Sequence, residues 1–151
     1  MSIPRSPKSY LTNEAAFNGG SPIPANIENI RSAWHRDGAF ERWVLDFSDV
    51  ATRQTGKAAP EFQIRYSKAG ESPKIILEFK SIRSNRLQIS EIKKLLGKSR
   101  FVKDIILYPP IEEGEVAIEF ILKDHLNYSP HQPKENEGRL VLDLRAKSKK
   151  E

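Results

Sequence analysis

Four carboxylates recur at equivalent places along the sequence, and they are the first candidates for chemistry. They are Asp46, Glu78, Glu119 and Asp143. Two carboxylates held together can act as a general acid and a general base. A basic residue precedes three of these acids by four positions, however, and this regularity favours ion pairs between neighbouring strands of a sheet. Those basic residues are Arg42, Lys74 and Arg139. We therefore interpret the carboxylates as structural and predict no catalytic residue.

The remaining residue types supply no further reactive motif. His35, His125 and His131 lie in no recognisable metal-binding pattern, although the last two share a predicted loop. The acidic segment 112–115 is interpreted as a charged turn rather than a calcium loop. The chain has no cysteine, which excludes disulfides and thiolate ligands. We predict a non-enzymatic protein with no metal and no cofactor.

The repeated carboxylates lie in segments that share one strand pattern. Each segment has a charged residue, a large apolar one, a smaller or β-branched one, Leu or Ile, an acid and an apolar residue. The segments are 42–47, 74–79, 139–144 and, less closely, 115–120. Side chains alternate between the two faces of a strand, so Trp43, Leu45 and Phe47 are predicted to share a core-facing side. The opposite side carries the charges, as in antiparallel strands with one solvated face.

Four further strands and one helix are predicted around these segments. The strands are 27–34, 62–66, 101–108 and 126–128. Residues 27–34 also fit a helix, because Ile27, Ile30 and Trp34 recur at helical spacing, but the internal repeat favours a strand. Residues 62–66 and 74–79 are predicted to form a hairpin. The helix is predicted over 90–97, with Ser90 as its N-cap and Gly97 just past its end.

The order of the strands in the first half recurs in the second half. Segments 27–34, 42–47, 62–66 and 74–79 correspond to 102–105, 115–120, 126–128 and 139–144. Two four-stranded units can bury their apolar faces against each other. We predict a mainly β fold, a sandwich of two small pseudo-symmetric antiparallel sheets with one short helix between the halves. Residues 1–25 are expected to be a flexible leader, 26–145 a single β-sandwich domain and 146–151 a basic tail.

The net charge of +5 lies mainly outside the predicted domain. Residues 145–151 carry +3 and residues 1–26 carry +1, which leaves +1 for residues 27–144. A nucleic-acid-binding domain usually carries its positive charge on a folded face, so nucleic acid is not favoured as a partner. No apolar segment approaches the roughly 20 residues that cross a bilayer. Residues 1–8 lack the apolar centre of a signal peptide, so the protein is either cytoplasmic or exported with its signal removed.

The succession of strands resembles the AMIN domain over roughly residues 27–145. The resemblance is carried by Ile27-x-x-Ile30-Arg31 and by segments 42–47, 62–66, 74–79 and 139–144. The AMIN domain is a non-catalytic module found beside N-acetylmuramoyl-L-alanine amidases and in type IV pilus secretins. Its fold has two small symmetric sheets face to face. This chain departs from the pattern in long loops at 48–59 and 124–138, and in Glu115, where the pattern usually has Arg.

The resemblance implies a periplasmic or cell-envelope protein that binds peptidoglycan or an envelope protein complex. We expect the ligand on an outer sheet face, where Arg42, Lys74 and Arg139 offer cationic donors. Arg31 and Trp34 are added as candidates, although Trp34 also fits the core. The alternative function is a protein–protein assembly module that pairs through edge strands, as a homodimer or a hetero-complex, without glycan affinity. Nucleic-acid binding through the basic tail is a third alternative.

Overall fold

The computed structural model describes residues 16–147, apart from 53, 55, 57, 111 and 135–137. Over these residues the chain forms ten strands and one helix. The strands are β1 (Phe17–Gly19), β2 (Ala25–His35), β3 (Phe40–Asp49), β4 (Phe62–Ser67), β5 (Lys74–Phe79), β6 (Ile82–Asn85), β7 (Val102–Tyr108), β8 (Val116–Leu122), β9 (Leu126–His131) and β10 (Arg139–Ala146), and the helix is α1 (Ile89–Lys98). The segment 27–34, which also fitted a helix, is a strand.

The strands form two five-stranded sheets that pack face to face. Sheet 1 has the order β6-β2-β3-β10-β9, and sheet 2 has the order β1-β4-β5-β8-β7. All neighbours are antiparallel except β2 and β6, which run parallel. The predicted β-sandwich with a helix between its halves is therefore confirmed.

The two halves of the chain are interleaved rather than separate. Each sheet takes two of the repeated strands from each half, and its centre is a pair between halves, β3 with β10 or β5 with β8. When each repeated strand is replaced by its counterpart in the other half, the order β2-β3-β10-β9 becomes β7-β8-β5-β4. This is the order of the repeated strands in sheet 2, taken from its β7 edge. The pseudo-symmetry is present, but the prediction of one four-stranded unit per half is wrong. The chain changes sheets between the second and third repeated strand of each half.

The core lies between the sheets and is formed by the predicted apolar faces. Trp43 exposes 2% of its surface, Leu45 3% and Phe47 1%. Trp43 meets Phe120 of the opposite sheet edge to face, with ring centroids 5.3 Å apart. Phe47 meets Phe79 across the sheets with the rings tilted by 60° and their centroids 5.5 Å apart. Alternate residues of both sheets thus interdigitate in one apolar layer.

The ends of the helix differ from the prediction. Ile92 N–H donates to the carbonyl of Gln88, so the helix begins two residues earlier than predicted, and Gln88, not Ser90, is the N-cap. Gly97 lies inside the helix, which ends at Lys98; the C-cap is Ser99, whose backbone N–H donates to the Leu96 carbonyl. The apolar face of the helix packs on the core, where Ile92 is buried and Leu95 and Leu96 are partly buried.

Part of the segment predicted as a leader belongs to a sheet. β1 pairs with β4, and Phe17 stacks on Phe62 with ring centroids 6.1 Å apart. Gly20 adopts a φ of +88°, and a Cβ there would lie 1.9 Å from the carbonyl oxygen of Pro60. Only glycine allows this close approach. Residues 1–15 of the predicted leader and residues 148–151 of the predicted tail lie outside the described residues.

A buried carboxylate connects β3 to the segment that follows α1. Glu41 exposes 2% of its surface. Its Oε1 accepts hydrogen bonds from Trp43 Nε1 at 2.8 Å and from Ser99 Oγ at 2.6 Å, and its Oε2 accepts one from the Arg100 N–H at 2.7 Å. The sequence pattern did not reveal this role, because a glutamate at the start of a strand is normally solvated.

Candidate functional site

The structure places the predicted ligand-binding cations in ion pairs with the repeated carboxylates. Arg42 lies opposite Asp143 on β10 and donates from Nε and a terminal nitrogen at 2.7 and 2.8 Å. The Asp143 side chain is fully buried, whereas that of Arg42 is 19% exposed. Because the Arg42 guanidinium donates to both oxygens of this carboxylate, we assign it a structural role rather than a role in ligand binding.

Arg31 and Arg139 converge on a second carboxylate. Arg31 binds both oxygens of Asp46 at 2.8 and 3.0 Å, and Nε of Arg139 donates to Asp46 Oδ1 at 3.0 Å. Both arginines stay partly exposed, with 48% and 42% of their side chains accessible. The structure thus brings these two predicted site residues together on the outer face of sheet 1, around an acid that already balances one of their charges.

The remaining cation belongs to a matching pair on sheet 2. Nζ of Lys74 lies 3.1 Å from Oε1 of Glu119, and the Tyr108 hydroxyl donates to Oε2 of the same carboxylate at 2.6 Å. This hydrogen bond raises the pKa of Tyr108. In the internal repeat Lys74 corresponds to Arg139 and Glu119 to Asp46, so the two ion pairs are related by the pseudo-symmetry.

Trp34 is neither in the core nor fully exposed. The guanidinium carbon of Arg100 lies 3.9 Å from the centroid of its ring, and the Phe101 ring lies 6.1 Å away. The indole is thus half-buried at the end of β2, stacked on a cation from the α1–β7 connection. Within the described residues, the Trp34 side chain has no hydrogen bond or ring contact with another predicted site residue.

Two histidines pack beside the Arg42–Asp143 pair. The His35 ring stacks on Phe40 at 4.8 Å, and His131, at the end of β9 rather than in a loop, has its Nδ1 3.9 Å from Asp143 Oδ2. Burial lowers the pKa of both imidazoles below 6.5 and the charge of Arg42 acts in the same direction, whereas Asp143 opposes the shift. Across the described part of the chain, no group of three or more His, Asp or Glu is placed to hold a metal ion.

The outer face of sheet 2 holds a groove that the sequence did not predict. One row of directly opposed residues crosses all five strands and forms its floor. The row is Asn18, Gln63, Glu78, Ala117 and Tyr108. The groove has a volume of about 650 Å³. The methyl group of Ala117 leaves a depression between the longer side chains of Glu78 and Tyr108.

The groove combines an apolar surface with carboxylates. Tyr108 is 43% exposed and is followed by the exposed Pro109 and Pro110, which form one wall. Phe62 and Phe79, whose side chains are buried in the core, also border the groove. Glu61, Glu78 and Glu115 line it against a single cation, Lys80. Such a mixture of an aromatic surface and a few oriented polar groups is typical of ligand sites.

A second groove of about 660 Å³ adjoins the first. The two share Tyr108, Pro110, Glu115 and Val116. The second groove extends past Glu113 and Gly114 towards Arg83 on β6. Gly114 has a φ of +84° and its carbonyl accepts the Ile82 N–H at 2.9 Å, which holds the acidic turn against β6. We call the two adjoining grooves together the channel.

The acidity of the channel arises where the internal repeat is broken. Glu115 occupies the position that corresponds to Arg42, and Glu78 the position that corresponds to Asp143. Glu78 pairs instead with Arg65 of β4. The sequence already showed Glu115 as a difference from the AMIN pattern, which usually has Arg there. In the structure this position therefore has no ion pair equivalent to Arg42–Asp143, and the Glu115 carboxylate faces the groove. The Tyr108-Pro109-Pro110 segment was the other sequence feature that could have indicated the groove.

The chain matches no known family model and no curated protein. Within the described residues, no helix has the length and apolar character needed to cross a membrane.

Proposed function

We propose that this protein is a non-catalytic binding module of the cell envelope, that its ligand is peptidoglycan, and that the ligand lies in the groove on the outer face of sheet 2. The observation that carries the proposal is the exposed Tyr108 ring beside a depression lined by Asn18, Gln63 and glutamates. An aromatic ring packs against the apolar face of a sugar, and amide and carboxylate groups bind its hydroxyl and acetamido groups. The compartment rests on the resemblance to the AMIN domain.

The proposal moves the binding site away from the cations predicted from the sequence. Arg42, Lys74 and Arg139 each bind a carboxylate of the protein at 2.7–3.1 Å. A ligand acid would have to displace these carboxylates and leave Asp143 or Glu119 buried without its partner, which costs several kcal/mol. The polar groups of the groove need no such displacement.

Co-sedimentation with insoluble peptidoglycan tests the proposal. Tyr108→Ala removes the ring, and Ala117→Leu fills the depression with a larger side chain. We expect each variant to bind about tenfold more weakly than the wild type, the loss typical of a central contact residue. Ala33→Leu is the matched control, because Ala33 is exposed on the outer face of sheet 1, opposite Arg42.

The Arg31→Ala/Arg139→Ala double variant separates the two candidate surfaces. We expect it to sediment with peptidoglycan as the wild type does. Loss of binding in this variant, with binding retained in Tyr108→Ala and Ala117→Leu, would place the ligand on sheet 1 and contradict the proposed site. Absence of wild-type binding at low and physiological salt would exclude peptidoglycan as the ligand.

Assembly through an edge strand is a second candidate function, and the structure of β7 favours it. β7 has seven residues and pairs with β8 alone among the described strands, whereas the edge strands β1 and β6 have three and four residues. The remaining edge strand, β9, contains Pro130, which has no N–H to donate. A partner strand would therefore pair best with β7.

Sedimentation equilibrium tests this second function. A homodimer through β7 would dissociate when Ile106, which is half-buried on the outer face of the strand, is replaced by lysine in both copies. A monomeric wild type at high concentration would exclude self-pairing through this edge.

A further inference from the structure

Among the described residues, three of the four glutamates that line the channel have no ion-pair partner, unlike the repeated acids of the sheets. Asp46, Glu78, Glu119 and Asp143 each have a basic side chain within 4 Å. For Glu61, Glu113 and Glu115 the described residues provide no such partner. Lys80 and Arg83, which also line the channel, form no ion pair with them either. Three carboxylates without a described ion-pair partner thus line the two adjoining grooves.

The charges of the residues that line the two grooves indicate the charge of a ligand that would fit them. The two adjoining grooves are lined by four glutamates, one lysine and one arginine, and one of the glutamates, Glu78, is paired with Arg65 outside the grooves. The other three glutamates against one lysine and one arginine leave a formal excess of one negative charge. Ionised carboxylates only accept hydrogen bonds. A ligand group that satisfies several of them must donate hydrogen bonds, and a cation does so with the strongest interaction.

The apolar part of the groove fits the stem of an amine-bearing side chain. Tyr108, Pro109 and Val116 form an apolar wall beside Glu115. An aliphatic side chain that ends in an ammonium group buries its methylenes on such a surface and keeps its charged end among acceptors. A neutral sugar would leave the carboxylates of Glu61 and Glu115 without a counter-charge.

We propose that the channel recognises the free primary amine of the peptide part of peptidoglycan, carried by the diamino acid of a stem peptide wherever that amine is not used in a cross-link. This inference rests on the proposed function, since it names the portion of the same polymer that the groove binds. The glycan strand carries no cation, whereas the side-chain amine of the diamino acid is protonated at neutral pH wherever it has not been joined to another peptide. The protein would therefore bind more strongly to wall in which fewer of these amines are used in cross-links.

The experiment compares peptidoglycan before and after chemical acetylation of its amines, with the full-length protein. Acetylation removes the positive charge and leaves the glycan in place. We expect it to weaken co-sedimentation of the wild type about tenfold, the loss typical of a charge-assisted hydrogen bond. The Glu61→Gln/Glu115→Gln variant should bind untreated peptidoglycan with a similar loss and should no longer respond to acetylation.

The Glu71→Gln/Glu91→Gln variant is the matched control. It changes the net charge by the same amount at two exposed glutamates outside the channel, and we expect it to behave like the wild type. A second measurement uses a soluble lysine-containing tripeptide and its Nε-acetyl form, with the backbone amide signals of Tyr108, Val116 and Ala117 observed by NMR. Only the free amine should shift these signals.

The outcomes separate this inference from the function on which it rests. If wild-type protein sediments equally with native and acetylated peptidoglycan, the amine is not recognised, and the proposed function stands while this inference falls. If the Glu61→Gln/Glu115→Gln variant still responds to acetylation as the wild type does, the amine binds elsewhere on the protein and the inference is also wrong. If the wild type sediments with neither preparation, both the inference and the proposed function are wrong.

Discussion

Arg42 and Asp143 are 101 positions apart in the sequence and directly opposite each other on β3 and β10, where two hydrogen bonds of 2.7 and 2.8 Å join them. The pair links one strand of the first half to one strand of the second. Because the Asp143 side chain is fully buried, its charge depends on Arg42 for compensation. This pair therefore stabilises the interleaved arrangement of the two halves.

Replacing Arg42 by alanine should destabilise the fold by about 3–5 kcal/mol, the cost of leaving a buried charge without its partner. Arg31→Ala should cost no more than about 1 kcal/mol, because Arg31 is 48% exposed and Asp46 keeps Arg139. Urea denaturation of both variants measures the two losses. Equal losses would contradict the structural role assigned to Arg42.

Replacing both members of the pair tests whether the charge or the packing matters. In Arg42→Met/Asp143→Leu neither charge remains, so the double variant should lose less stability than Arg42→Ala. The same urea titration compares them. A double variant less stable than the single one would show that the hydrogen bonds themselves, rather than the avoidance of an unpaired charge, dominate.

Glu41→Gln should destabilise the connection between α1 and β7. The carboxylate accepts hydrogen bonds from Trp43, Ser99 and the Arg100 N–H. An amide has only one oxygen, so one of these donors would face an NH₂ group, at a cost of about 1–3 kcal/mol. Thermal unfolding measures the loss, and the fluorescence of Trp43 should change because its indole N–H loses or alters its partner. Glu71→Gln, at an exposed turn, is the control.

The stability of the protein should fall as the pH drops below about 6.5, the usual pKa of histidine. Burial lowers the pKa of His131 and of His35 in the folded state. The unfolded chain therefore binds these protons first as the pH falls. Their contribution to stability is complete above pH 6.5 and is lost as the pH falls through the folded-state values.

The histidine variants identify the source of that pH dependence. In His131→Gln/His35→Gln the free energy of unfolding should depend less steeply on pH between 7 and 5, because two groups that take up protons on unfolding are absent. Urea unfolding at several pH values measures the slope. An unchanged slope would assign the effect to other groups.

Gly97→Ala should stabilise the protein by about 0.5–1 kcal/mol, because Gly97 lies inside α1 and alanine has the higher helix propensity. A Cβ at this position would have no neighbour within 4 Å. Gly20→Ala is the contrasting variant and should destabilise, since its Cβ would lie 1.9 Å from a backbone oxygen. Thermal unfolding of both variants tests the opposite signs.

The sequence by itself determined which residues face the core and which acids are paired. Trp43, Leu45 and Phe47 are buried as the alternation predicts, because the period of a strand assigns each side chain to one of two faces. The acids Asp46, Glu119 and Asp143 bind the basic residues Arg139, Lys74 and Arg42, since charges placed on one face of adjacent strands come within reach of each other.

Tertiary structure alone decided which strands are neighbours and where the groove lies. Alternation assigns a face but not a partner strand, so it could not show that β3 pairs with β10 rather than staying with its own half. For the same reason the cations predicted to bind a ligand proved to be held by carboxylates of strands distant in the chain. The groove depends on the register of five strands, which aligns Asn18, Gln63, Glu78, Ala117 and Tyr108 in one row. Register is a relationship between strands, and no local pattern encodes it.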